Sequence, residues 1–231
     1  MGFTPPFAKQ PGKPKHGRNE PRLNHDTPTT LVSVRRCHGR ATLTLSTGET
    51  LDMPRAMLKE RPYRGGMPFD RASFDAFLTG RSYPFAMDKA VALLAMRGRT
   101  RKEIRDALVK NAYPEHTVER VLTRLDEAGY VDDADFAGHW ASSRTSKGIG
   151  ARRIRMELRQ KGVEASVIEE TLSAMNTDEQ LSGACKIARR AANGKDLSLR
   201  TDRQKVMAAL MRRGFDYDTA RQALAVLDEE D

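Results

Sequence analysis

Three stretches of the chain decide its fold: Ile104-x3-Leu108-x3-Ala112-Tyr113-x4-Val118-x3-Leu122, then Ile154-x3-Leu158-x3-Gly162-Val163-x4-Ile168-x3-Leu172, then a third in which Val206, Leu210, Gly214, Phe215, Ala220 and Leu224 hold the same places. The first two are offset by 154 − 104 = 50 residues and the last two by 206 − 154 = 52. Apolar residues four apart share one face of a helix. In each copy the Gly or Ala falls where that helix must stop, and the apolar residue after it opens a second helix. Ahead of each pair lies another amphipathic stretch, marked by Ala90, Leu93 and Leu94 in the first copy, Phe136, Ala137 and Trp140 in the second, and Leu181, Ala184 and Ile187 in the third. The unit is therefore three helices. A unit of about fifty residues buries too little surface to be secure alone, so stacking of neighbours is expected to complete it. The fold class read from this pattern is all-α, with tandem three-helix repeats over 81–130, 131–176 and 177–231. The turn of the first repeat is less clearly specified, because Asn111-Ala112 stands where the second has Lys161-Gly162, and the third repeat carries a polar insertion from Ala192 to Arg203.

Upstream of the repeats the period changes to two. Val32 and Val34, Leu43 and Leu45, and Leu51 and Met53, with turn residues at His38-Gly39 and Thr47-Gly48, predict a small β-meander within a 31–80 subdomain. A two-residue turn at Thr47-Gly48 pairs Leu45 with Thr50. A three-residue loop is expected to pair Leu45 with Leu51 and Leu43 with Met53, and burial of one face favours such an odd loop. Asp70 is expected to cap a short helix whose Phe74, Phe77 and Leu78 form a stripe ending at Gly80. Residues 1–30 hold six of the eleven prolines and five Lys and Arg residues with almost no aliphatic side chains. They read as a disordered basic tail, either an anion-scanning arm or a solubilising extension.

Forty Lys and Arg against thirty-one Asp and Glu give the 231-residue chain a formal charge of +9. An anionic partner is indicated, nucleic acid ahead of a membrane surface. Apolar runs such as Ala90–Met96 fall far short of the ~20 residues that cross a bilayer. No apolar core follows the basic residues at the N-terminus, so no secretory signal is read there, and Cys37 and Cys185 are single thiols. A reducing, cytoplasmic setting is expected. The five histidines (His16, His25, His38, His116 and His139) lack ligand spacing, and no metal, cofactor or small-molecule substrate is expected.

The second repeat is chemically distinct. Arg144, Lys147, Arg152, Arg153, Arg155, Arg159 and Lys161 face a single acid, Glu157, giving that stretch 7 − 1 = +6. On a helix beginning near Ala151, Ile154 and Leu158 point inward while Arg152, Arg155 and Arg159 line an adjacent face. A solvated helical face usually interleaves more acids, so binding of phosphate or carboxylate is the favoured reading. Ser146-Lys147-Gly148-Ile149-Gly150 enters that helix, and amides at a helix start suit an anion. The Walker pattern is absent, which disfavours a nucleotide loop. Asp132, Asp133 and Asp135 are a carboxylate cluster at a helix start, where capping explains them more simply than a metal-dependent nuclease site. Trp140 lies on an apolar face and reads as core rather than as a base-stacking platform.

The run Gly129-Tyr130-Val131-Asp132-Asp133-x-x-Phe136-Ala137, continuing as Ser143-Arg144-x-x-Lys147-Gly148-x-Gly150-x-Arg152-Arg153-Ile154-x-x-Glu157-Leu158-x-x-Lys161-Gly162-Val163, resembles the RecX family of recombinase regulators. With the flanking repeats the resemblance covers roughly 85–225, and 31–80 is similar to an N-terminal extension carried by some members. It implies a curved, elongated, monomeric stack with no catalytic residues. Such a protein lodges in the groove of the RecA filament on single-stranded DNA, restrains ATPase and strand exchange, and belongs to DNA repair and recombination. The seven basic residues would then engage DNA or recombinase. The alternative from another class is a stand-alone DNA-binding protein with helix-turn-helix-like repeats.

Overall fold

The structure, a computed structural model, describes residues 28–230, with the side chain of Glu230 left out. Residues 1–27 of the segment read as a tail lie outside the described residues. Thr29 and Thr30, assigned to that tail, are instead tied to the sheet: Phe69 N donates to Thr29 O at 2.8 Å and Ser46 N to Thr30 O at 2.9 Å.

The meander is an antiparallel sheet of β1 (Leu31–Cys37), β2 (Arg40–Leu45) and β3 (Thr50–Pro54) in that order. His38 and Gly39 both take positive φ, 34° and 105°, as a two-residue hairpin turn between right-twisted strands requires. The second loop has three residues, Ser46 to Gly48, as expected, and Leu45 N reaches Glu49 O at 2.9 Å. Leu43 therefore pairs with Leu51 and Ala41 with Met53, two residues away from the expected register yet on the same buried face. Val32 corrects a second expectation. It is 59% exposed, and Leu31 is buried in its place. The backbone of Leu31 also bonds Gly66 and Met67, and a register shift between Leu31 and Ser33 turns Val32 outward.

Asp70 caps its helix, accepting from Ser73 N at 2.8 Å. That helix does not stop at Gly80: α1 runs from Arg71 to Met96 through Pro84. Proline removes one hydrogen bond and crowds the carbonyl four residues back. Continuity survives because the two halves of α1 rest on separate cores. Phe74, Phe77 and Leu78 pack on the sheet, Ala86 and Ala90 on the first repeat, and Phe85 on both. The boundary expected at 80/81 lies inside this helix.

The second half of α1 joins α2 (Arg101–Lys110) and α3 (Glu115–Glu127) as module 1. Module 2 is α4 (Asp133–Thr145), α5 (Ala151–Gln160) and α6 (Ala165–Ser173), and module 3 is α7 (Thr177–Ala192), α8 (Arg200–Arg213) and α9 (Tyr217–Glu230). Each has its own core. Ile104, Ile154 and Val206 are wholly buried, as are Leu108, Leu158 and Leu210. The turn residues Ala112, Gly162 and Gly214 all adopt left-handed backbone, with φ 62°, 82° and 92°. The polar insertion is shorter than expected, since α8 already begins at Arg200. No helix among the described residues is long and apolar enough to cross a membrane.

Candidate functional site

The modules meet at one recurring place, through the backbone carbonyls of a turn. Each offers the turn between its second and third helices to the unit before it. At the junction of modules 2 and 3, Gly150 N donates to Arg213 O at 3.1 Å and Arg152 N to Gly214 O at 3.0 Å. Between modules 1 and 2 the wholly buried Thr100 donates its hydroxyl to Lys161 O at 2.7 Å while accepting from Glu103 N at 3.2 Å to cap its own helix. Ahead of module 1 the β1–β2 hairpin takes over: the Arg40 guanidinium donates twice to Lys110 O, at 3.2 and 3.0 Å.

An ionic network crosses the seam between modules 1 and 2. Lys161 and Glu103, whose side chains are 16% and 19% exposed, pair at 2.7 Å, and Glu103 also receives Arg97 at 2.9 Å. Burial pushes the Glu103 carboxyl up, but the hydrogen bonds from Arg97 and Lys161 outweigh it and hold the group below its ordinary range. The Lys161 ammonium lies 4.1 Å from the Trp140 ring centroid and the Arg144 guanidinium 4.2 Å from it. Trp140 stacks on Phe136 with centroids 5.7 Å apart and donates to Glu157 at 3.0 Å. It packs at the margin of the module 2 core, as expected, and its ring is already engaged by two cations.

The seven basic residues do not form one open ridge. Arg144 pairs with Glu157 at 2.7 Å, Arg153 with the same carboxylate at 3.4 Å, and Arg155 with Glu169 through two bonds of 2.8 and 2.7 Å. The Arg155 hydrogen bond draws the Glu169 carboxyl below its usual range. Lys161 belongs to the seam. Lys147, Arg152 and Arg159 are exposed and form no ion pair among the described residues. The neutralising acids Glu103 and Glu169 come from other helices, which is why a count along one segment overstated its free charge. Sequence reasoning also passed over Lys186, Arg190, Arg212 and Arg213. Arg190, Arg212 and Arg213 lie in last turns, where basic residues are commonplace, and Lys186 lies further inside α7.

The aspartates divide their work. Asp132 caps α4, accepting from Ala134 N at 2.8 Å and Asp135 N at 3.0 Å. Asp133 instead accepts from Arg101 N at 2.9 Å, capping a helix of the neighbouring module. Burial raises its carboxyl above the usual value, and the Arg101 amide partly offsets this. Asp135 pairs with His139 at 3.3 Å. No group of three or more His, Cys, Asp or Glu among the described residues is placed to hold a metal ion.

Family models for the first, second and third three-helix domains of RecX match residues 86–125, 132–172 and 178–224. The chain is similar to the regulatory protein RecX of Levilactobacillus brevis, 31% identical over 201 residues that cover 86% of this chain and 76% of that protein. It is 38% identical over 140 residues to the protein of the same name from Prosthecochloris aestuarii, covering 60% of this chain and 91% of the relative. The crystal structure of RecX from Lactobacillus salivarius shares the fold, with a TM-score of 0.61 at 23% identity over 64% of this chain and 98% of that one. Three modules in order, a turn-to-helix seam at each junction and these likenesses lead to one conclusion: the chain belongs to the RecX family.

Proposed function

We propose that this protein regulates homologous recombination by seating on the RecA–single-stranded DNA filament, where it inhibits ATP hydrolysis and strand exchange. The observation that carries the reading is membership of the RecX family across all three modules, which the +9 charge of the chain supports. The action is steric and electrostatic. The stacked body occupies the filament, and Lys147, Arg152 and Arg159 engage DNA phosphates or acidic recombinase surfaces, while Arg144, Arg153, Arg155 and Lys161 hold the modules in shape and add to the positive field. No catalytic step is invoked. The cytoplasm is the compartment where such a filament is met.

Sequence-reading helix-turn-helix binding is less well supported. A recognition helix presents its N-terminal residues to base edges. Here the turns leading into α3, α6 and α9 are packed against the preceding unit, so that a Cβ on Gly162 would lie 2.2 Å from Lys102 Cδ and one on Gly214 would lie 2.4 Å from Arg153 Cβ. The test is ATP hydrolysis by preformed recombinase filaments on single-stranded DNA. Inhibition is expected well below equimolar protein and should resist excess free DNA. No change at equimolar protein in moderate salt overturns the proposal.

A further inference from the structure

At the junction where module 3 stacks on module 2, a cleft of about 380 Å³ is lined by Arg153, Arg190, Arg212 and Arg213 over a floor that includes Ile187 and Ala209. We infer that this cleft binds the phosphodiester backbone of a single-stranded nucleic acid. The inference deepens the proposed function by naming its nucleic-acid contact, yet it stands apart from recombinase inhibition because binding is read without recombinase.

Four guanidinium groups converge here with no acidic residue in the lining. Arg190, Arg212 and Arg213 are exposed and form no ion pair among the described residues, and Arg153 reaches Glu157 only at 3.4 Å. The ordinary explanation for basic residues at helix ends is the dipole, which favours cations in a last turn. It accounts for Arg190 in α7 and for Arg212 and Arg213 in α8. Arg153 contradicts it, because it sits in the first turn of α5, where the dipole disfavours a cation. What unites the four is the cleft, and an anion is the ligand that would relieve their mutual repulsion. Guanidinium is also the group whose fork matches phosphate oxygens.

The cleft does not stand alone. Ile187 and Arg190 also line an adjoining cleft of about 630 Å³ that adds Lys147 and Lys186, with Asp178 and Glu179 among its other lining residues. An equivalent position, the junction of the hairpin with module 1, holds a cleft of about 510 Å³ with Arg36, Arg55, Lys59 and Lys89 and no acid in its lining. Cations recurring at two joints of a stack, one on each side of the ion-paired seam between modules 1 and 2, suit a linear polymer carrying one charge per residue. Protein surfaces present their carboxylates among cations, and a small anion needs one site. Phosphate contacts of this kind position a strand without reading its sequence.

The experiment follows a fluorescent oligo(dT) by anisotropy with the full chain over a salt series. For single strands the log–log slope falls by about 0.7 for each phosphate that the protein no longer neutralises. Arg190→Glu with Arg212→Glu should therefore flatten the slope by roughly 1.4 and weaken binding by about 25-fold near 0.1 M salt. Arg64→Glu with Arg124→Glu carries the same change of net charge away from the cleft and should leave the slope near that of the parent. Both cleft residues are exposed and unpaired, so the helical spectrum should persist. Arg190→Gln with Arg212→Gln repeats the slope measurement without charge reversal should the first variant fail to fold. A folded cleft variant that binds like the control overturns the inference. So does one that keeps its oligo(dT) binding but no longer inhibits recombinase, since the cleft would then serve an acidic protein surface. If the parent binds oligo(dT) through the cleft yet leaves recombinase ATPase untouched, the cleft stands and the recombinase reading falls.

Discussion

Replacing Gly150 by Ala should uncouple module 3 from module 2 while leaving each intact. The backbone of Gly150 is ordinary for any residue, with φ −80° and ψ 161°, so the substitution introduces no conformational strain of its own. The methyl group is the whole perturbation. It would lie 2.3 Å from Gly214 C and from Phe215 N and 2.4 Å from Gly214 O, all backbone atoms that no rotamer change can move. The seam must open, and with it the bonds Gly150 N to Arg213 O and Arg152 N to Gly214 O. Overpacking costs about 1–3 kcal/mol and each broken hydrogen bond about 1 kcal/mol. A loss of roughly 3–5 kcal/mol follows, or about 6–20 °C in Tm at 2–4 °C per kcal/mol for a chain of this size. In a stack whose stability sums module and interface contributions, the loss falls on the interface. Thermal unfolding followed by circular dichroism should broaden or split, and hydrogen exchange should show α7–α9 opening first. Gly138→Ala supplies the control: it lies within α4 with nothing near the added methyl, and it should gain up to about 1 kcal/mol. If Gly150→Ala unfolds like the parent in one transition, the seam does not bind the modules as described.

Three further outcomes follow from the same geometry. Ala112→Gly should stabilise module 1 by about 1 kcal/mol in denaturant titration, because Ala112 holds φ 62°, a conformation that costs a residue with a Cβ about 1–2 kcal/mol. Asp132→Ala should cost about 0.5–2 kcal/mol through the lost α4 cap, read by the same titration, with oligo(dT) affinity unchanged. Glu103 is held below its ordinary value, so the unfolded chain protonates first on acidification. Its contribution is therefore complete at neutral pH and is lost as pH falls from the ordinary carboxylate value of about 4.3 through the lowered folded one. Asp133, raised by burial, runs the opposite way, its contribution fading as pH rises through the raised value. Stability measured against pH should fall less steeply at the acid end in Glu103→Gln than in the parent.

The modules were legible in sequence because a helix pair leaves two local marks, apolar spacing and a residue suited to a left-handed turn. Ile154, Leu158 and Gly162 carry both, and even Ala112 keeps its place in the pattern despite the poorer turn residue. What escaped was decided by partners distant in sequence. Helix α1 continues past Gly80 and Pro84 because two separate cores hold it, and Val32 faces solvent because Leu31 bonds to Gly66 and Met67. The same holds at the site. Arg155 and Lys161 look free beside a single Glu157, but Glu169 lies 14 residues from Arg155 and Glu103 lies 58 from Lys161. Arg153, Arg190, Arg212 and Arg213 are ordinary when each helix is read alone and become a set only where one module meets the next.

The seams also bear on self-assembly. A rule that docks each turn on the unit before it has no inherent terminus, and head-to-tail contacts that do not close grow into fibres. Among the described residues, the two outer faces of the stack differ from its inner junctions. The leading turn, in module 1, is covered by Arg40 and by Gly39 against Asn111. At the trailing face, the 52-residue offset that relates Ile154 to Val206 carries Gly150 onto Asp202, a side chain whose carboxyl is held below its usual range by the hydrogen bond from Lys205. An incoming turn would meet that ion-paired carboxylate, where Thr100 and Gly150 offer hydrogen-bond donors. By the repeat offset, a carboxylate thus stands in module 3 where the donors Thr100 and Gly150 receive a turn in modules 1 and 2.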